Sequence, residues 1–124
     1  MSITGMTDYI KAAITQALPE VVVCTDSTRI RPALSASKTV AWVGAPKRIH
    51  LDAQSVGVAE YEIALISPEP AHHLDGLARL AVLARRLSPL LAFTELEPDT
   101  ASFGQGQAFP ALFLSFELPY TLED

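Results

Sequence analysis

An α+β fold, a mostly antiparallel β-sheet packed against a long helix with a further helix at the N-terminus, is predicted by three features of the sequence. Residues 7–18 and 71–88 place apolar side chains at helical spacing. Several short runs rich in β-branched and aromatic residues alternate between apolar and polar positions, with turn residues between them. The expected order is α-β-β-β-β-α-β-β, and consecutive strands without intervening helices favour hairpins over the crossovers of a parallel sheet.

In the first helix, Thr7 is expected as N-cap, Asp8 suits the positive end of the helix dipole, and Ile10, Ala13, Ile14, Ala17 and Leu18 share one face. Pro19 ends it. Glu20–Cys24 holds three consecutive valines and is read as a buried strand, closed by a polar turn around Asp26-Ser27-Thr28. Pro32 and the small residues Ala33, Ser35, Ala36 and Ser37 make residues 29–37 a loop containing a weak strand. Residues 38–44 form a strand with Val40 and Trp42 on one face, Ala41 and Val43 on the other, before a turn at Gly44-Ala45-Pro46.

Residues 48–52 alternate Ile49 and Leu51 against Arg48, His50 and Asp52, the pattern of a sheet with one wet face. In the strand from Val58 to Ser67, Tyr61, Ile63 and Leu65 share one face; Glu60, Glu62, Ala64 and Ile66 share the other. That second face turns from polar to apolar along its length, so one end should project while the other is covered. Pro68 and Pro70 introduce the second helix, whose stripe of Leu74, Leu77, Ala78, Ala81, Ala84 and Leu87 is widened by Leu80, Val82 and Leu83. So much apolar surface predicts burial against both the sheet and a neighbouring molecule. Residues 93–96 begin another strand, residues 99–107 are polar, and Phe103–Phe109 is the expected hairpin, with Gly104 and Gly106 supplying a permissive backbone. The final strand, residues 108–120, sets Leu112, Leu114, Phe116 and Leu118 against Ala111, Phe113, Ser115 and Glu117.

The length of 124 residues suits a single domain spanning residues 1–124. Hydrophobic residues make up 49% and charged residues 19%, against a typical charged share of about 25%, which excludes disorder over most of the chain. No apolar run reaches the roughly 18 residues of a membrane span, and the N-terminus lacks the basic and apolar regions of a secretory signal. The expectation is a soluble protein made in a cytoplasm. Cys24 is the sole cysteine, so neither an intrachain disulfide nor a cysteine-based zinc site is available. The net charge of −5 is uneven: six basic and three acidic groups in residues 1–50 give +3, while three basic and eleven acidic groups in residues 51–124 give −8. If this polarity becomes spatial, the basic edge of one subunit meets the acidic edge of another and favours head-to-tail association.

No catalytic, cofactor-binding or metal site is expected. His72, His73 and Asp75 are read as a solvated helix start, because adjacent helical residues point about 100° apart and do not converge on one ion. His50 and Asp52 share a strand face, but no nucleophile elbow or oxyanion-hole signature accompanies them. Cys24 is read as a buried thiol and Gly104-Gln-Gly106 as a hairpin turn, since a dinucleotide site needs a third glycine and a strand-to-helix context. Trp42 is read as core. Arg29 and Arg31, two apart in an extended segment, would point the same way, as solvated edge charges or as partners of a neighbouring subunit.

The succession of strand (Ala59–Pro68), Leu/Ala helix, polar hairpin and Phe109-Pro110-Ala111 opening the last strand resembles siphophage tail terminator proteins, and an N-terminal helix ending in Leu18-Pro19 fits the same layout. The resemblance implies a mechanical role. Such proteins form a ring, commonly hexameric, on the head-proximal end of the tail tube, stop tube polymerisation, and offer a joining surface to the head connector or head-completion protein. A ring follows when a head-to-tail interface closes, whereas an open one makes a filament. The implied partners are copies of the chain itself, the tail tube protein and the connector, within the tail and neck of a virion assembled in the host cytoplasm. DNA would pass through without specific binding, which an acidic or neutral lumen favours because basic side chains would hold the phosphates. On this reading Arg29, Arg31, Lys47 and Arg48 are interface candidates, and Glu60, Glu62 and Glu117 are lumen-facing candidates. The alternatives are a head-completion or connector subunit of the same neck, or a small ligand-binding regulatory α+β domain.

Overall fold

Burial along the strands follows a two-residue period, so each face of a single sheet carries its own apolar set. The computed structural model describes residues 1–52, 54–103 and 107–122. In chain order these form α1 (Ile3–Ala17), β1 (Val22–Cys24), a 3-10 turn (Ser27–Arg29), α2 (Ile30–Ser35), β2 (Val40–Val43), β3 (Arg48–Leu51), β4 (Val56–Ile66), α3 (His73–Leu87), β5 (Glu95–Ser102) and β6 (Ala108–Thr121). This is the expected α+β class, and the predicted order holds apart from the inserted α2.

The strands lie in the order β1-β2-β4-β6-β5, with β3 beside β2 on the same edge of β4. β2 pairs with the second half of β4, Val43 opposite Ile63, and β3 with the first half, Arg48 opposite Glu60 and Leu51 opposite Gly57. A Cβ at Gly57 would run into the His50 carbonyl, so glycine is what lets β3 lie against β4 at that point. β6 pairs with β4 over its full length, and β5 covers β6 only as far down as Ser115. Among the described residues every pair is antiparallel except β1 with β2.

One face packs under both longer helices. Met6, Ile10 and Ile14 of α1 and Leu80, Ala84 and Leu87 of α3 bury against Tyr61, Ile63, Leu65, Leu112, Leu114 and Phe116. The Tyr61 and Phe116 rings stack with centroids 5.8 Å apart. Arg86 of α3 ties the two helices together, donating to both oxygens of Glu20 at 2.6 and 3.1 Å and to the Ala17 carbonyl at 2.9 Å. On the opposite face, Ile30 and Leu34 of α2 cover only the half formed by Cys24, Val40, Ala64, Ile66 and Ala111. The other half is left to solvent, as the polar-to-apolar shift along β4 predicts.

Several sequence expectations are corrected. α1 starts at Ile3 with Ser2 as N-cap, its hydroxyl accepting from the Gly5 N–H at 3.1 Å. Thr7 lies inside the helix and donates to the Ile3 carbonyl at 3.0 Å. Within residues 29–37, Ile30–Ser35 form a helix instead of a loop with a weak strand: Pro32 falls in the first turn of α2, where a missing N–H costs nothing. Asp26 caps the preceding 3-10 turn by accepting from the N–H and hydroxyl of Thr28 at 2.9 and 2.8 Å.

α3 is 15 residues, no longer than α1, and is rotated so that Gly76, Leu80, Ala84 and Leu87 face the core. A side chain at Gly76 would meet Pro110 Cγ at 2.8 Å, so this helix end approaches β6 through the missing Cβ. Leu74, Ala78 and Ala81, expected in the buried stripe, are exposed. β5 runs on through the polar Asp99–Ser102, because an edge strand wetted on both faces needs no apolar alternation. The expected hairpin glycines, Gly104 and Gly106, lie outside the described residues.

Candidate functional site

The uncovered half of the second sheet face gathers most of the candidate residues. Strand alternation sends Arg48 and His50 of β3, Glu60 and Glu62 of β4, Ser115 and Glu117 of β6, and Glu95, Glu97 and Asp99 of β5 to this side. Cross-strand register then sorts them into rows. Arg48 stands opposite Glu60, which stands opposite Glu117. One row higher, Glu62 is opposite Ser115, which is opposite Glu95. Lys47, just before β3, reaches Glu62 with its ammonium 3.7 Å away.

Arg48, Glu60, Glu95, Ser115 and Glu117 of these rows, with Lys47, line a polar groove of about 290 Å³. Glu60 is shared: His50 Nε2 lies 2.9 Å and Arg48 Nε 3.8 Å from the same carboxylate oxygen. All these side chains keep substantial contact with water, so each pair contributes at most about 1 kcal/mol. Glu95, Glu97, Asp99 and Glu117 have no ion-pair partner among the described residues. The first row therefore begins basic at Arg48 of β3 and ends acidic at Glu117 of β6, while the second runs from Glu62, paired with Lys47, to the acidic Glu95 of β5.

The candidates named from sequence fall into two groups. Lys47, Arg48, Glu60 and Glu117 come together in this groove, with Glu62 paired to Lys47 on the same face, joining residues expected on an interface with residues expected in a lumen. Arg29 and Arg31 stand apart, on the 3-10 turn and α2. They do not project in parallel, because residues two apart in a helix diverge by about 200°. His50, Glu95, Glu97 and Asp99 were missed as site residues. The acidic alternation Glu95-x-Glu97-x-Asp99 was the available signal for three of them, since in a strand it puts like charges on one face.

Asp52 lies beyond the end of β3, where its N–H donates to the Val56 carbonyl, and His50 faces Glu60. Cys24 is buried, and that burial raises its thiol pKa, which disfavours the thiolate a nucleophile needs. His72 and His73 are exposed at the start of α3, and no three metal-ligating side chains converge among the described residues. No described helix is long and apolar enough to cross a membrane.

Two further surfaces are apolar. The outer side of α3 exposes Leu74 (79%) and Val82 (58%), beside a cleft of about 480 Å³ lined by Ala81, Arg85, Phe93 and Leu96. At the opposite end of the sheet, Met1, Leu51, Val56 and Leu122 are exposed, and the Thr121 and Leu122 N–H groups bond the Met1 and Ser55 carbonyls. A third groove, of about 290 Å³ beside α2, is lined by Ile30, Trp42, Ile66, Phe103 and Phe113, so Trp42 is only partly buried. The sequence matches no protein-family model, and no curated protein matches it.

Proposed function

We propose that this chain is a non-enzymatic structural subunit that closes a ring on itself, as a tail terminator of a long-tailed phage. The observation that supports it best is the exposure of large apolar side chains on separate parts of one small domain, Leu74 and Val82 on α3 and Leu51, Val56 and Leu122 at the far end of the sheet. Exposed apolar side chains of this size suit protein contacts. Two unlike surfaces suit a head-to-tail interface, in which one copy's first surface covers its neighbour's second, and such an interface makes a ring when its rotation closes. The succession of strand, Leu/Ala helix and final strand supports the terminator role in particular. In that role one surface of the ring sits on the last tube ring and ends its growth, while another receives the head connector.

The acidic groove suits the lumen of such a ring. Glu60, Glu95 and Glu117 line it, and Lys47, Arg48 and His50 lie close enough to Glu60 and Glu62 to be partly neutralised by them. DNA moving past would meet a surface that does not hold its phosphates. The aromatic groove beside α2 gives the ligand-binding alternative a site to test.

The test is electron microscopy of tails assembled with and without the chain, with mass photometry of the purified protein alone and with tail tube protein. The proposal expects a ring, binding at the tube end, and overlong or headless tails when the chain is left out. Normal tails in its absence would overturn it. Co-purification with DNA-filled heads would move the protein to the head-completion side of the neck. Saturable stabilisation by a small molecule, without tube affinity, would favour the ligand-binding domain.

A further inference from the structure

We infer that copies join through the cleft beside α3: the β3–β4 end of one chain, an apolar knob of Leu51 and Val56 bearing the Asp52 carboxylate, seats in the cleft of the next, where Asp52 pairs with Arg85. This deepens the ring reading and rests on it.

The cleft exists because the sheet reaches beyond its helix cover. α3 packs on β6, while β5 lies one strand further out and turns Leu96 and Pro98 toward the helix side. Leu96 is therefore left 53% exposed. Ala81, Ala84 and Ala92 contribute little more than methyl groups to the lining, so the space between α3 and the start of β5 amounts to about 480 Å³.

Most polar groups around the cleft are already engaged. The Ser88 hydroxyl donates to the Arg85 carbonyl at 2.9 Å, and the Thr94 hydroxyl donates to the Ser115 carbonyl at 3.2 Å. Glu95 also borders the cleft, but strand alternation sends its side chain to the opposite face. Of the three arginines on α3, Arg79 pairs with Glu69 and Arg86 with Glu20, whereas Arg85 has no ion-pair partner among the described residues. An apolar cleft bordered by an unpaired guanidinium fits an apolar protrusion that carries a carboxylate.

The far end of the sheet offers that chemistry. Leu51 is 50% and Val56 47% exposed. Asp52 closes the hairpin between them, its N–H donating to the Val56 carbonyl at 3.0 Å, and its exposed side chain has no ion-pair partner among the described residues. The nearby Met1 ammonium is held by the Thr121 hydroxyl at 3.3 Å. This knob does not reach the cleft of its own chain: Glu95 at the cleft pairs with Ser115 of β6, while Val56 pairs with Thr121, six positions and roughly 20 Å further along the strand. The contact therefore forms between copies, uses two different surfaces of each, and repeats in one direction, as a ring requires.

The test uses full-length chains with charges reversed, Arg85→Glu, Asp52→Lys and the two together, each checked for folding by circular dichroism. Assembly is followed by sedimentation velocity and mass photometry across concentration, alone and with tail tube protein. Each single reversal should raise the dissociation midpoint at least about tenfold. The double reversal should bring it back toward the wild-type value, because the two charges then face each other with signs exchanged. Ala81→Trp, which fills the cleft without altering a charge, should also block assembly. Single reversals that assemble normally, a double reversal that does not recover, or normal assembly of Ala81→Trp overturns the joint and leaves the ring reading standing. A wild-type chain that is monomeric throughout, alone and with tube protein, overturns both. Should a reversed chain fail to fold, Arg85→Gln and Asp52→Asn singly and together replace it. Non-additive losses support the contact, and additive ones overturn it.

Discussion

Glu60 and Glu117 stand directly opposite each other across the β4–β6 ladder, on the same exposed face of the sheet. Like charges so placed destabilise a sheet. Arg48 and His50 relieve Glu60, while Glu117 has no ion-pair partner among the described residues. The chain by itself therefore keeps an unrelieved repulsion at this pair.

Glu117→Gln should relieve this repulsion. Below the assembling concentration it should raise the stability of the single chain by about 0.2–1 kcal/mol, less at high salt, in urea unfolding. A variant that destabilises the monomer would show that Glu117 has a favourable partner within its own chain.

Tyr61 is 1% exposed, stacked on Phe116, and its hydroxyl has no well-formed hydrogen bond among the described residues. The Thr7 hydroxyl lies nearby and donates to the Ile3 carbonyl, and burial raises the phenol pKa. Tyr61→Phe keeps the ring and removes the orphan oxygen, so stability should be unchanged or higher by about 1 kcal/mol. A loss above that size in urea unfolding would mean that the hydroxyl is satisfied in solution.

Ser37 sits in the left-handed region at φ 61°, just past the end of α2, where its N–H bonds the Leu34 carbonyl and the Lys38 N–H bonds the Ala33 carbonyl. This is the position at which helices usually carry glycine. Ser37→Gly should stabilise the fold by about 0.5–1 kcal/mol, read as a raised urea midpoint. Ser37→Val, β-branched at positive φ, should lower it.

The Arg86 guanidinium hydrogen-bonded to Glu20 holds the Glu20 carboxyl below its ordinary value of 4.5. A depressed folded-state pKa means that the pair's contribution is fully present above the unfolded value, and is lost as pH falls through the lower folded one. Arg86→Met should be less stable than wild type at neutral pH, with a gap that narrows below about pH 4.5. The remainder reflects the pH-independent bond from Arg86 to the Ala17 carbonyl. Asp26, held low chiefly by the Thr28 N–H, titrates in the same direction in both proteins and cancels in the difference. A gap independent of pH would mean that the Glu20 pair does not form in solution.

The strand faces were legible because side-chain alternation is local: Tyr61, Ile63 and Leu65 against Ala64 and Ile66 predicted a sheet covered on both sides at one end. α2 was not legible, because Pro32 and small residues favour a loop, and what holds the helix is Ile30 and Leu34 buried on β-strands distant in sequence. The rotation of α3 was hidden for a similar reason: Leu74 and Leu80 are equivalent by hydropathy, and only the approach of Gly76 to Pro110 selects the face that turns inward.

By itself the sequence determined the α+β class, most of the elements and the unequal charge of the two chain halves, since these depend on composition and on neighbours a few residues apart. Tertiary structure alone decided which charges meet. Arg48, Glu60 and Glu117 are separated by 12 and 57 positions, and it is the register of β3, β4 and β6 that sets them in one row. Register arises from packing across the whole sheet, so the placement of a basic edge opposite an acidic one is a property of the folded chain.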